Sequence, residues 1–155
     1  MKKFLKVFSV VLCLGLVLVS TGCFSKKTIT SSKFKSVAES HKLTVTDVKQ
    51  QFASVSYINE ALVARSEKGY QLEFYVLSTK EDAISFFTQN KTIFEQAKDG
   101  ASAETNMNGQ NYEKYTLVVD GKYKLLSRVE NTVLYLNIDD VYKDEVKKIV
   151  DELKY

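Results

Sequence analysis

Two cysteines and one histidine are the only soft nucleophiles and near-neutral base in this 155-residue chain. Cys13 lies inside an apolar run, and Cys23 follows the small residues Ser20-Thr21-Gly22 at its end. His41 adjoins Ser40, but neighbours at a helix end do not face each other as base and donor, and no G-x-S-x-G elbow surrounds any serine. The densest acids are Asp139, Asp140, Asp144 and Glu145. They lie around a helix start, where capping and the dipole account for them better than a calcium loop would. Paired carboxylates for glycoside hydrolysis must face each other across a cleft, and nothing beyond the presence of acids favours one. Asn106 to Asn111 (NMNGQN) is turn-rich and does not form a phosphate-cradling loop. The most suggestive set is aromatic and cationic. Tyr75, Arg128 and Tyr135 are expected on an open sheet face, a composition suited to protein, peptide or glycan contact. The plainer alternative makes the tyrosines ordinary strand residues and pairs Arg128 with Glu73.

The first 23 residues concern location. Lys2, Lys3 and Lys6 precede an almost entirely apolar run from Val7 to Val19. That run falls short of the roughly 20 residues a bilayer-spanning helix needs, and it lacks a stop-transfer flank. The layout is that of a secretory signal. It resembles the bacterial lipoprotein signal with its lipobox. Gly22 at −1 and Thr21 at −2 fit that pattern, while Ser20 at −3 departs from the preferred leucine. The resemblance implies a diacylglyceryl group on the Cys23 thiol, and cleavage that makes Cys23 the first mature residue. Two acyl chains, at about 0.8 kcal/mol for each buried CH₂, would hold the protein on the extracytoplasmic face of the cell membrane. The stretch NTVLYLNIDDVYKDEV likewise resembles small lipoproteins of Gram-positive bacteria and implies no activity.

Removing residues 1–22, which hold three lysines and no acid, leaves 19 basic against 19 acidic residues. The excess positive charge belongs to the signal, so nucleic acid is not an expected partner. Anionic lipid draws support only from Lys26 and Lys27 beside the anchor. With Cys13 removed and Cys23 acylated, no thiol remains for a disulfide, a zinc site or nucleophilic catalysis. No cofactor is expected apart from the covalent diacylglycerol. Residues 33–155 are enough for one domain stabilised by its core alone.

The elements that position these residues follow from patterning. Residues 23–32 read as the lipidated cysteine and an extended tether, about 30 Å long over nine residues. A helix capped by Ser31 or Ser32 is expected to bury Phe34, Val37 and Ala38, with His41 at its end. A short strand at Leu43–Val45 follows, then a hairpin of Ala61–Ser66 and Tyr70–Leu77 around Glu67-Lys68-Gly69. Ser78 and Glu81 suggest a capping box opening a helix with Ala83, Ile84, Phe86, Phe87, Ile93 and Phe94 inward, stopped by Gly100. Ala101–Gln110 reads as a flexible loop. Strands at Tyr112–Val119, Lys122–Glu130 and Thr132–Ile138 are joined by Asp120-Gly121 and Glu130-Asn131, and a helix after Asp139-Asp140 closes the chain. The class is α+β: an antiparallel sheet of five to six strands with helices on one face. Together these features point to a non-catalytic binding or accessory module of the cell envelope. It would contact an envelope protein, peptide or glycan through the open sheet face or the 101–111 loop. A small-ligand or lipid carrier and a carboxylate-dependent envelope hydrolase are the alternatives.

Overall fold

The computed structural model describes residues 25–98 and 102–155. The segment read from sequence as a signal, together with Cys23 and Gly100, lies outside those residues. Among the described residues no helix is long and apolar enough to cross a membrane.

The chain is α+β, as patterning indicates. Helix α1 (Ser31–Ser40) leads into β1 (Thr44–Asp47), a 3-10 turn at Lys49–Phe52, β2 (Ile58–Arg65) and β3 (Gln71–Leu77). Helix α2 (Lys80–Gln96) precedes β4 (Ala103–Asn108), β5 (Tyr112–Val119), β6 (Lys122–Val129) and β7 (Thr132–Asp139). A 3-10 turn at Asp140–Tyr142 enters α3 (Lys143–Glu152). All seven strands form one sheet, ordered β1-β2-β3-β7-β6-β5-β4, with every pairing antiparallel. The central ladder joins Glu73–Val76 of β3 to Thr132–Tyr135 of β7. At Asp120-Gly121 both residues take positive φ, +50° and +69°, as a two-residue hairpin requires.

Helices cover both faces of the sheet, not one. Alternation in a strand sends successive side chains to opposite sides. In β3, Leu72 and Phe74 meet α1 and α3, whereas Tyr75 and Leu77 meet α2. In β6 and β7, Leu125, Leu134 and Leu136 belong to the first core, and Leu126 and Val133 to the second. With apolar side chains on both sides, each central strand needs a layer of helix above and below.

Three further expectations change. Ala103–Asn108 is a strand in full register with β5, although every one of its side chains is exposed. Backbone pairing with a well-buried neighbour sets this edge; side-chain preference does not. The cap of α2 is Thr79, not Ser78. Its hydroxyl accepts from the Asp82 amide at 3.0 Å, and Asp82 accepts in return from the Thr79 amide at 3.1 Å. Ala83, Phe87 and Phe94 make the buried line of that helix, leaving Ile84 and Ile93 outside it.

The segment before α1 is no free tether. The Lys26 amide donates to Asn111 Oδ1 at 2.9 Å, and Asn111 Nδ2 donates to the Lys26 carbonyl at 2.8 Å. Ile29 packs against the first core, and Thr30, not Ser31 or Ser32, caps the helix by accepting from the Lys33 amide at 3.2 Å.

Candidate functional site

The face expected to be open is closed. Tyr75 is 5% exposed and Arg128 3% exposed. The Tyr75 ring lies 4.9 Å from Phe86 of α2 and 5.7 Å from Phe52 of the 3-10 turn, and its hydroxyl donates to Glu73 Oε2 at 2.5 Å. Burial, with the Glu73 carboxylate beside it, pushes the phenol well above its ordinary value. Tyr135 is half-buried, its ring 5.2 Å from Phe94. Arg128 pairs with Glu113 and not with Glu73: Nε and Nη2 donate to Glu113 Oε1 at 3.0 and 2.7 Å. Its Nη1 donates to the Glu130 carbonyl at 3.1 Å. These three residues do share one sheet face, as alternation requires, but Tyr75 and Tyr135 pack against α2, Arg128 ties a turn, and only Tyr135 keeps partial exposure.

The remaining sequence candidates make local pairings. His41 follows α1 and pairs with Glu152 at 2.9 Å. Asp140 lies 3.8 Å from Lys143, and Glu145 accepts from Lys68 at 2.7 Å and from the Tyr70 hydroxyl at 3.0 Å.

The open concavity lies on the other face, between α3 and the β4–β5 wing. Residues spaced by four bring Lys143, Lys147 and Asp151 onto one flank of α3, beside its buried line of Val146, Ile149, Val150 and Leu153. Across from them, β5 alternates Lys114, Thr116 and Val118 toward the same space, paired with Met107, Thr105 and Ala103 of β4. Tyr123 and Leu125 of β6 form the floor. The groove encloses about 290 Å³ and has an apolar base under a largely cationic rim.

Lys114 is its most unusual group. The ammonium donates to the Tyr155 main-chain oxygen at 2.9 Å and is half-buried. Burial pulls its pKa down, the Lys26 and Lys147 charges act in the same direction, and Asp151 opposes them. Lys26 is lowered by burial too, and its ammonium sits 4.9 Å from the Tyr112 ring centroid. Tyr123 is pushed up to about 12 by burial, then by Asp151 and Asp140. A cation short of water and crowded by like charge is stabilised by an incoming anion. Sequence reading missed this groove because Lys114, Lys147 and Lys26 come from three separate elements.

No protein-family model matches the chain, and no curated protein matches it. Among solved structures it is similar to the extracellular domain of PknH from Mycobacterium tuberculosis, at 12% identity and a TM-score of 0.38, over 81% of this chain and 92% of that one. So distant a likeness carries no conclusion about function.

Proposed function

We propose that this protein is a lipid-anchored, non-catalytic accessory module on the extracytoplasmic face of the cell membrane. In this reading the α3/β4–β5 groove holds an extended acidic segment of an envelope protein. The observation that carries it is Lys114, half-buried and flanked by Lys26 and Lys147, in a groove whose lining includes one carboxylate, Asp151. β4 supplies the second half of the site. As the terminal strand of the sheet it leaves one side of its backbone for an added strand. Alternate side chains of such a peptide would lean over Thr105 and Met107 toward the lysines. The sheet face therefore drops out as the contact surface, while the region around 101–111 stays in it through β4.

The alternatives draw less from the geometry. A carrier needs a deep apolar space between sheet and helices, where Phe34, Phe74, Phe87 and Phe94 are fully buried in packed cores. A glycoside hydrolase needs two facing acids, and the groove lining brings one.

The test uses a labelled glutamate-rich peptide with alternating valines and the same peptide with lysine in place of glutamate. The acidic peptide should bind, with affinity falling as salt rises. Lys147→Glu should weaken it by about tenfold, as loss and reversal of a close charge does. Equal binding of both peptides, or no effect of Lys147→Glu, would remove the groove from consideration. Anchoring is tested separately: labelled palmitate should enter the protein and be absent from Cys23→Ala.

A further inference from the structure

The two ends of the sheet differ, and the first described residues lie at one of them. The 109–111 turn and the Glu130-Asn131 turn adjoin there. The Glu130 amide donates to the Asn111 carbonyl at 2.9 Å, and the Asn111 side chain grips Lys26. At the other end, Gly69, Lys122 and Asp139 border a common depression. The eight residues of β7 lie between, about 25 Å at roughly 3.3 Å each.

Beside Lys26 is a shallow recess of about 570 Å³, bordered by Lys26, Lys27, Ile29, Asp151, Lys154 and Tyr155. Its three lysines face one acidic side chain, Asp151. This imbalance is local, because residues 23–155 carry equal numbers of basic and acidic side chains. Two residues, Phe24 and Ser25, separate Cys23 from the clamped Lys26, a reach of about 10 Å over three Cα steps.

We infer that this end of the domain docks onto the anionic phospholipid headgroups of the membrane that holds it, with Lys26, Lys27 and Lys154 in contact and the 67–69 and 120–121 turns pointing away. The inference rests on the lipid-anchored reading. Two hydrogen bonds fix the chain at Lys26, and the short reach from there to Cys23 limits how far the body can swing. Charge then selects which side meets the surface: the cationic recess faces anionic lipid, and Ile29 adds an apolar contact at its border. The α3/β4–β5 groove shares Asp151 with the recess and runs from there toward Lys143 and Tyr123 at the far end. Lysines at the far end lie well beyond a Debye length of about 8 Å from the headgroups.

The test is lysine acylation read by mass spectrometry on the full lipidated chain. It is carried out in phosphatidylcholine vesicles, in vesicles of phosphatidylcholine with phosphatidylglycerol, and in detergent with inorganic phosphate. With phosphatidylglycerol, Lys26, Lys27 and Lys154 should each react about fivefold more slowly, the factor expected for lysines drawn to an anionic surface. Lys68 and Lys122 should be unchanged. Lys27→Glu with Lys154→Glu, both exposed positions, should abolish the protection of Lys26 while flotation with vesicles persists. Flotation with uniform reactivity would overturn docking and leave the anchor standing. Failure to float would overturn the anchor and docking together. Equal protection by phosphate in detergent would show a free-phosphate site and overturn membrane contact.

Discussion

Asn111 stands to Lys26 as a paired strand residue would, accepting from its amide at 2.9 Å and donating to its carbonyl at 2.8 Å across 85 positions of sequence. Neither an aspartate nor an alanine can do both. Asn111→Ala should lower stability by about 1–2 kcal/mol, two hydrogen bonds' worth, in chemical denaturation. It should also expose residues 25–29 to limited proteolysis. Asn111→Asp keeps the acceptor alone and should fall between wild type and alanine.

Arg128 is a buried guanidinium serving the Glu113 carboxylate and the carbonyls of Glu130 and, at 3.5 Å, Asn111. Arg128→Ala would strand Glu113 together with the Glu130 carbonyl, and should cost about 3 kcal/mol. Glu113→Gln retains an acceptor and should cost about 1 kcal/mol. Equilibrium denaturation reads both, and a loss below 1 kcal/mol in Arg128→Ala would contradict the pairing.

Tyr75 separates packing from hydrogen bonding. Tyr75→Phe loses the contact with Glu73 and should cost about 1 kcal/mol. Tyr75→Ala empties the space between Phe52 and Phe86 and should cost about 3–5 kcal/mol. Thermal melts of the two variants give the comparison.

Alkaline pH should act through buried phenols. The Tyr123 phenol ionises near 10 when unfolded and at about 12 in the fold, so the folded state holds its proton more tightly. Its stabilising effect is complete below pH 10 and is lost as pH rises from 10 to 12, at most about 3 kcal/mol in all. Phenolate absorbance should rise in two phases, the later one together with loss of helical circular dichroism. Tyr123→Phe should flatten the decline in stability over that window.

At alkaline pH, where the lowered pKa of Lys114 leaves its ammonium partly deprotonated, proton uptake should accompany occupation of the groove. An anion beside Lys114 raises the lowered pKa of its ammonium, so affinity weakens as pH rises through that depressed value. Calorimetry in two buffers of different ionisation enthalpy should detect the proton, and Lys114→Met should abolish the difference.

What could be read from sequence was whatever is written locally. The Asp120-Gly121 reversal, the apolar spacing of α2 and the strand at Tyr112–Val119 each need only a few adjacent residues to declare themselves. Two-sided burial was present in β6 and β7 as unbroken apolar pairs, Leu125-Leu126 and Val133-Leu134, but alternation in β3 drew attention to one face. β4 was hidden because AETNMN has no strand signature, and its pairing is decided by β5. The groove and the Asn111 clamp depend on contacts between residues tens of positions apart, for which one sequence offers no local sign.

The ladder between Glu73–Val76 and Thr132–Tyr135 is where two hairpin-built halves of the sheet meet. Each half can zip from its own turns. Their union must bring together partners separated by more than fifty residues, and that closure carries the largest loop entropy in the sheet. Folding should therefore show two early meanders and a late seam. Substitutions at Phe74 or Leu134 should slow the final step more than those at Leu62 or Leu117.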